Sequence, residues 1–233
     1  MPRFFTSDGT PLTLGRELGS GGEGSVYHLP SHPRQVAKLY HQPLDPGKQA
    51  KLQFMAAAAD DKLLQYVAWP QDTLHARPGG DVVGFLMPEV ERKLPVHHLY
   101  NPGSRLKNHP KAAWDFLLFV ARNIAASFEV LHSRGHVIGD VNENSVMAGE
   151  DSTVTLIDSD SFQVDAAGYT YLCKVGVPNF TPPEIQTLSS FDQFRRTANH
   201  DNFGLALLIF HLLMGGRHPF SGVPLRAEAE PSL

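Results

Sequence analysis

Cysteine is nearly absent from this chain. A single one, Cys173, in 233 residues excludes an internal disulfide and a Cys-rich zinc site. It fits a reducing compartment such as the cytoplasm. An excess of basic charge is also missing. The net charge of -4 and pI near 6.3 leave no electrostatic footprint for nucleic acid. Long apolar runs are missing too. The opening MPRFFTSDGTPL has no apolar core of signal-peptide length. The longest apolar segment, Phe203 to Met214, is interrupted by His211 and is too short to span a bilayer. It reads as a buried core helix. Histidines are scattered, and the one adjacent pair, His97-His98, reads as part of a solvated loop. What is present is an apolar share of 42%, enough for a core in one large domain or two small lobes. No internal repeat is visible.

The stretch GHVIGDVNENSVMAGEDSTVTLIDSDSF, from Gly135 to Phe162, organises the rest. Asp140 and Asp158 each follow a short apolar run, with the amides Asn142 and Asn144 close behind the first. Two carboxylates at the mouths of buried segments, with amides between, suit Mg²⁺ and phosphate, because Mg²⁺ binds through one or two carboxylates plus phosphate oxygens. A β-hairpin with a polar loop explains the same residues without a ligand.

In chain order, Leu12 to Leu18 reads as a strand. Gly19, Gly21 and Gly24 follow in GSGGEGSVY; glycine permits positive φ and close approach to a ligand, and successive N–H groups make an anion-binding concavity. A dinucleotide-binding loop would need a helix after the last glycine. Gly24 instead enters strand-like Ser-Val-Tyr-His-Leu and then Pro30, so the segment reads as a glycine-rich hairpin. Lys38 interrupts the apolar strand Val36 to Tyr40, and either a phosphate or open water is its partner. Asp45-Pro46 opens a helix running to Ala59, with Asp60-Asp61 ending it. No acid lies inside that helix; only Gln49 and Gln53 are polar and uncharged there. Val67–Ala76 and Asp81–Met87 read as strands, and Lys93 to Pro110 as a loop at a lobe boundary. Ala112 to His132 carries apolar residues at helical spacing, Trp114 and Leu118 among them, and Ser133-Arg134-Gly135 stops it. A proline-punctuated loop, Val177 to Glu184, precedes Asp201, which caps the Phe203–Met214 helix.

Taken together in this order, the pieces resemble the protein kinase superfamily. The Gly19/Gly21/Gly24 segment with Val26 is similar to its glycine-rich loop, Val36-Ala37-Lys38 to the strand bearing the nucleotide lysine, and Met87 to Val90 to the hinge. Leu131 to Asp140 resembles the end of the long helix and the catalytic loop; Leu156-Ile157-Asp158 resembles the metal aspartate motif. Pro182-Pro183-Glu184 resembles A-P-E, and Asp201 with His218-Pro219-Phe220 the next helix and its end. The match covers nearly all the chain and looks most like a divergent bacterial branch of eukaryotic-like Ser/Thr kinases.

The resemblance implies an α+β, two-lobed protein-kinase-like fold. Residues 1–91 would form a small antiparallel N-lobe sheet with one helix, and 92–233 a mostly helical, incomplete C-lobe. It implies ATP and Mg²⁺ as cofactors, a protein hydroxyl as acceptor, and gene neighbours encoding a protein phosphatase and a von Willebrand A-type protein as partners. Lys38 would hold the α/β-phosphates, Asp158 the metal, and Asp140 would accept the substrate proton. Adenine would lie between Val26 and Ala37 above and Met147 below, its edge on backbone near Met87, Glu89 and Val90.

The departures matter as much. Gly139 stands where an arginine precedes the catalytic aspartate, so a phosphorylated activation loop has no partner there. Asn142 replaces the lysine of the catalytic loop. Ser145, with Asn144 one place early, replaces the second metal asparagine. Asp160 replaces a glycine and would add a metal ligand or repel phosphates. With no helix glutamate, Lys38 would rely on Asp158, the nucleotide, Gln49 or Gln53. Two functions stay open: an active Ser/Thr kinase, and a pseudokinase that binds nucleotide as a regulatory or scaffolding module.

Overall fold

The computed structural model describes residues 3–166 and 168–222; the polar tail Ala227–Leu233 and Arg226 lie outside them. In chain order the elements are β1 (Arg3–Phe5), β2 (Pro11–Thr13), β3 (Glu17–Ser20), β4 (Gly24–His28), β5 (Gln35–Tyr40), α1 (Pro46–Ala57), α2 (Asp61–Tyr66), β6 (Asp72–His75) and β7 (Val82–Pro88). Then come β8 (Lys93–Pro95), α3 (Pro102–Asn108), α4 (Trp114–His132), β9 (Val146–Gly149), β10 (Val154–Leu156), β11 (Val164–Ala166), β12 (Tyr169–Tyr171), α5 (Pro183–Gln186) and α6 (Ala198–Leu213).

Two compact units result. The first holds the residues up to Glu91 and also takes in Ile157–Asp160 and Val164–Tyr171. Its centre is a seven-stranded antiparallel sheet in the order β2-β1-β6-β7-β5-β4-β3. Leu12, Leu14, Leu29, Ala37, Leu74 and Leu86 form a core on one face of it. The single strand expected from Leu12 to Leu18 is two, β2 and β3. The chain leaves β2 after Thr13, and Gly15 pairs with the His28 carbonyl before β3 begins.

α1 starts as its sequence dictates: the Asp45 carboxylate accepts the Lys48 N–H and Pro46 occupies the first turn. Leu52 and Met55 are buried from it. Asp60 does not end this helix. It caps a second one, α2, by accepting the Leu63 N–H, so the unit has two helices rather than one. Val67 to Trp69 is buried but leads only to the shorter β6; the Trp69 indole donates to the Met55 carbonyl, and Pro70 cannot donate to a ladder.

The second unit runs from Arg92 to Leu156 and includes Ser161–Gln163 and the chain from Leu172 onward. α4 and α6 pack together, beside a three-stranded sheet β10-β9-β8. Leu117, Ile124, Phe128 and Leu131 of α4 are buried with Leu207, Leu208 and Leu212 of α6. Trp114 and Leu118, among the apolar residues read at helical spacing, are exposed one turn apart on α4. The segment read as a loop from Lys93 to Pro110 is largely structured. It holds β8, a 3₁₀ turn at Val96–Leu99 that includes His97-His98, and α3, capped by Asn101. No helix among the described residues is long and apolar enough to cross a membrane.

Candidate active site

In the first unit the site is built on β5. Its neighbours β4 and β7 approach so closely that a Cβ at Gly24 would overlap the Leu39 carbonyl oxygen, and one at Gly84 the Lys38 carbonyl oxygen. Gly24 is therefore required for strand packing, and neither it, Gly19 nor Gly21 adopts positive φ. The Gly21 N–H pairs with the Gly24 carbonyl and closes the β3–β4 hairpin.

Strand alternation sorts the expected nucleotide residues. Val26 pairs directly with Lys38, and Val36 with Met87, so Val26, Val36, Lys38 and Met87 share a face. Ala37 is one residue off that face. It is fully buried in the leucine core on the other side, whereas Val36 lies on the face of Lys38. In the hinge stretch, the Glu89 N–H is engaged by the Arg34 carbonyl, and Val90 follows, half-buried.

Of the partners expected for Lys38, Gln49 is engaged elsewhere. Gln49 donates to the Leu44 carbonyl and accepts the Val82 N–H. The Lys38 ammonium instead lies 2.9 Å from both oxygens of Asp160, which is 2% exposed. The Tyr40 hydroxyl donates to the same carboxylate, and Lys48 of α1 lies 3.3 Å from it. Lys48 and Lys51 also donate to the Asp160 backbone carbonyl, at 3.0 and 2.8 Å. Burial alone would raise the Asp160 carboxyl, but Lys38, Lys48 and the Tyr40 hydroxyl hold it far below the ordinary carboxylate range. Burial, with that carboxylate beside it, pushes the Tyr40 phenol far up, so it remains a donor. Asp160, expected as a metal ligand or phosphate repeller, has both carboxylate oxygens engaged by side chains of the same unit. Ser159 anchors the same turn by donating to the Ala68 carbonyl at 2.6 Å.

Asp158 is exposed and sits at φ 57°. A non-glycine residue held there is uncommon and marks functional sites more often than chance. Crowding by the surrounding protein raises its carboxyl above 3.8; Lys38 opposes this, while Asp160 and Glu23 add to it. An exposed carboxylate within reach of a lysine fits Mg²⁺ held through phosphates and one acid. A raised value means the folded state favours the neutral acid. The ionised form costs stability at neutral pH, and that cost fades as pH falls through the raised value towards 3.8. Asp158→Asn, which keeps the shape and tolerates this φ, is expected to melt slightly above wild type at pH 7, with the gap closing in acid. Water reaching the side chain keeps the effect small. Thermal melts at both pH values check the sign.

In the second unit, Asp201 organises the loop bearing Asp140. It does not cap α6; Thr197 and His200 do. Its carboxylate, 1% exposed, accepts the N–H groups of Ile138 and Gly139 at 2.7 and 2.8 Å and contacts the His132 ring at 2.8 Å. Gly139 has φ 77°, and a Cβ on it would lie 2.6 Å from the Cys173 Cβ and 2.7 Å from a nitrogen of Arg196. The buried Arg196 guanidinium thus reaches, from another segment, the space beside a residue that cannot carry a side chain. Asn142 holds the turn: its amide nitrogen donates to the Asp140 carbonyl, and its oxygen accepts from Asn144 and Ser145 N–H groups. The Ser145 hydroxyl donates to the Asn142 carbonyl, while Asn144 is exposed. Met147 lies in β9, paired with Thr155 and Pro95.

No protein-family model matches the chain. It is 62% identical over 231 residues to protein kinase YegI of Escherichia coli K12, across 99% of this chain and 36% of that protein. The O157:H7 form gives 61% over 232 residues. A probable serine/threonine-protein kinase of Dictyostelium discoideum, irlC, is 25% identical over 52% of this chain. The solved ROP18 kinase domain, in complex with AMP-PNP and sucrose, shares the fold with a TM-score of 0.62 at 17% identity, covering 92% of this chain and 68% of that one. The chain belongs to the protein kinase superfamily. It has the two-lobed kinase-like α+β fold, and it spans about a third of the length of the YegI proteins. Within that superfamily, the Lys38–Asp160 pair and the Asp201 anchor are the features that local sequence did not reveal.

Proposed function

We propose that this chain is the catalytic domain of an ATP- and Mg²⁺-dependent protein kinase acting on serine or threonine hydroxyls. The observation that carries the reading is Lys38: a strand lysine held by a buried acid, on the face it shares with Val26 and Met87, and electrostatically coupled to the exposed Asp158. The high identity to proteins named protein kinase YegI supports it.

In this reading Lys38 binds the α/β-phosphates, with Val26, Val36 and Met87 against the adenine. Mg²⁺, bound through Asp158, would neutralise charge on the phosphates. Asp140 accepts the proton of the acceptor hydroxyl as its oxygen bonds to the γ-phosphorus and the bond to the β-phosphate oxygen breaks. Positioning and electrostatics supply most of the catalysis of such transfers, so Asn142 and Ser145 serve by fixing the Asp140 turn. Radiolabel transfer from ATP to a generic protein substrate is expected in wild type and is expected to vanish in Asp140→Asn. Equal transfer by the mutant would overturn the assignment.

The pseudokinase alternative draws on one observation. The Asn142 oxygen, the Ser145 hydroxyl and both Asp160 oxygens are all engaged within the protein. It predicts stabilisation by Mg²⁺-ATP with no transfer under any substrate.

A further inference from the structure

We propose that the ion pair orienting the nucleotide lysine is inverted in this protein. Asp160, on the segment after Asp158, is the positioning carboxylate for Lys38, and α1 supplies cations, Lys48 and Lys51, that hold that carboxylate in place. The inference rests on the kinase reading of Lys38 and deepens it.

Three lysines converge on one residue. Lys38 donates to both oxygens of Asp160, Lys48 to one oxygen and the backbone carbonyl, and Lys51 to the carbonyl. An ammonium has three donors. Two of those on Lys38 are spent on Asp160, and its side chain is 13% exposed, so the third donor is set by the direction of the first two. A lysine fixed in this way is pre-oriented for a phosphate oxygen, whereas a mobile one would have to be ordered during the reaction. Lys48 keeps Asp160 neutralised when Lys38 turns its remaining donor to a phosphate. The packing of Tyr40 fits the same purpose: its hydroxyl donates to Asp160, and its ring lies 5.5 Å from the Lys38 ammonium and 5.4 Å from that of Lys48.

The arrangement explains two oddities of the sequence together. α1 contains lysines and no acid, and an aspartate occupies a position that the superfamily resemblance fills with glycine. Either change alone would leave charge unpaired; made together they conserve the pair with the acid moved to the opposite partner.

The test measures kcat and KM for ATP, and the melting shift with Mg²⁺-ATP, in wild type, Asp160→Asn, Lys48→Gln, Asp160→Gly and Asp160→Gly/Lys48→Glu. Asp160→Asn is expected to lower kcat about 100-fold while KM for ATP stays level or falls, because the lysines remain cationic. A purely structural role would show as lost folded protein without that split. Lys48→Gln, which removes no buried carboxylate, is expected to lower kcat in the same direction. The double variant, which returns the acid to the helix, is expected to transfer faster than Asp160→Gly alone. Wild-type kcat in both Asp160→Asn and Lys48→Gln, or a double variant no better than Asp160→Gly, overturns the inverted pair. If Asp160→Asn does not fold, the Lys48→Gln result decides by itself. A wild-type chain that neither binds nor transfers would instead overturn the kinase reading.

Discussion

Asp201→Ala is expected to cost about 4 kcal/mol, roughly 8–16 °C in Tm for a chain of this size, and to abolish transfer. The Asp201 carboxylate is almost wholly buried and has three partners, the N–H groups of Ile138 and Gly139 and the His132 ring. Alanine leaves the two backbone donors without their acceptor, and each buried unsatisfied group costs about 1–3 kcal/mol. Those donors immediately precede Asp140, so the loss also frees the turn that aims it. Thermal denaturation and the transfer assay check the two halves separately. A melting temperature within a degree or two of wild type would show that the buried network contributes little.

Gly84→Ala is expected to destabilise by about 3 kcal/mol, roughly 6–12 °C in Tm, and to weaken nucleotide binding in the same variant. The added methyl would overlap the Lys38 carbonyl oxygen and come within 2.9 Å of the Leu39 side chain. A side chain can turn away, but backbone in the middle of a ladder cannot. β5 would have to separate from β7 or shift along it, and Lys38 moves with β5. Alanine at Gly19, where nothing stands within 4 Å, is the control and should leave stability unchanged. Similar melting of Gly84→Ala and the control would mean that the strand spacing is not tight.

Much of this was legible because the signals are local. The α1 cap is written in Asp45-Pro46, the α4 stop in Ser133 to Gly135, and the hairpin in Gly19 to Gly24. The order of such pieces identified the fold before any geometry. What escaped depends on contacts that local sequence does not encode. Asp160 lies 122 residues from Lys38, and a carboxylate in the place of a glycine gives no sign of whether it meets a metal or a lysine. Asp201 sits near a helix start, where an acid usually caps; its real partners are 62 and 63 residues away.

Other misses have different physics. Ala37 lies on the face opposite Lys38, because the strand period of two turns one residue into the opposite face. The Lys93–Pro110 segment reads as irregular because its prolines and histidines hide Asn101-Pro102, which is a sound helix start. The role of Gly84 lies in the approach of β5, which only the fold reveals.

The most direct test of the central claim, that Lys38 belongs to a nucleotide-phosphate site, is a melting curve with and without millimolar Mg²⁺-ATP for the wild-type chain and for Lys38→Ala. A ligand that binds only the folded state raises the melting temperature, so wild type should melt higher with nucleotide and Lys38→Ala should lose most of that rise. No rise in wild type, or an equal rise in both, would contradict it.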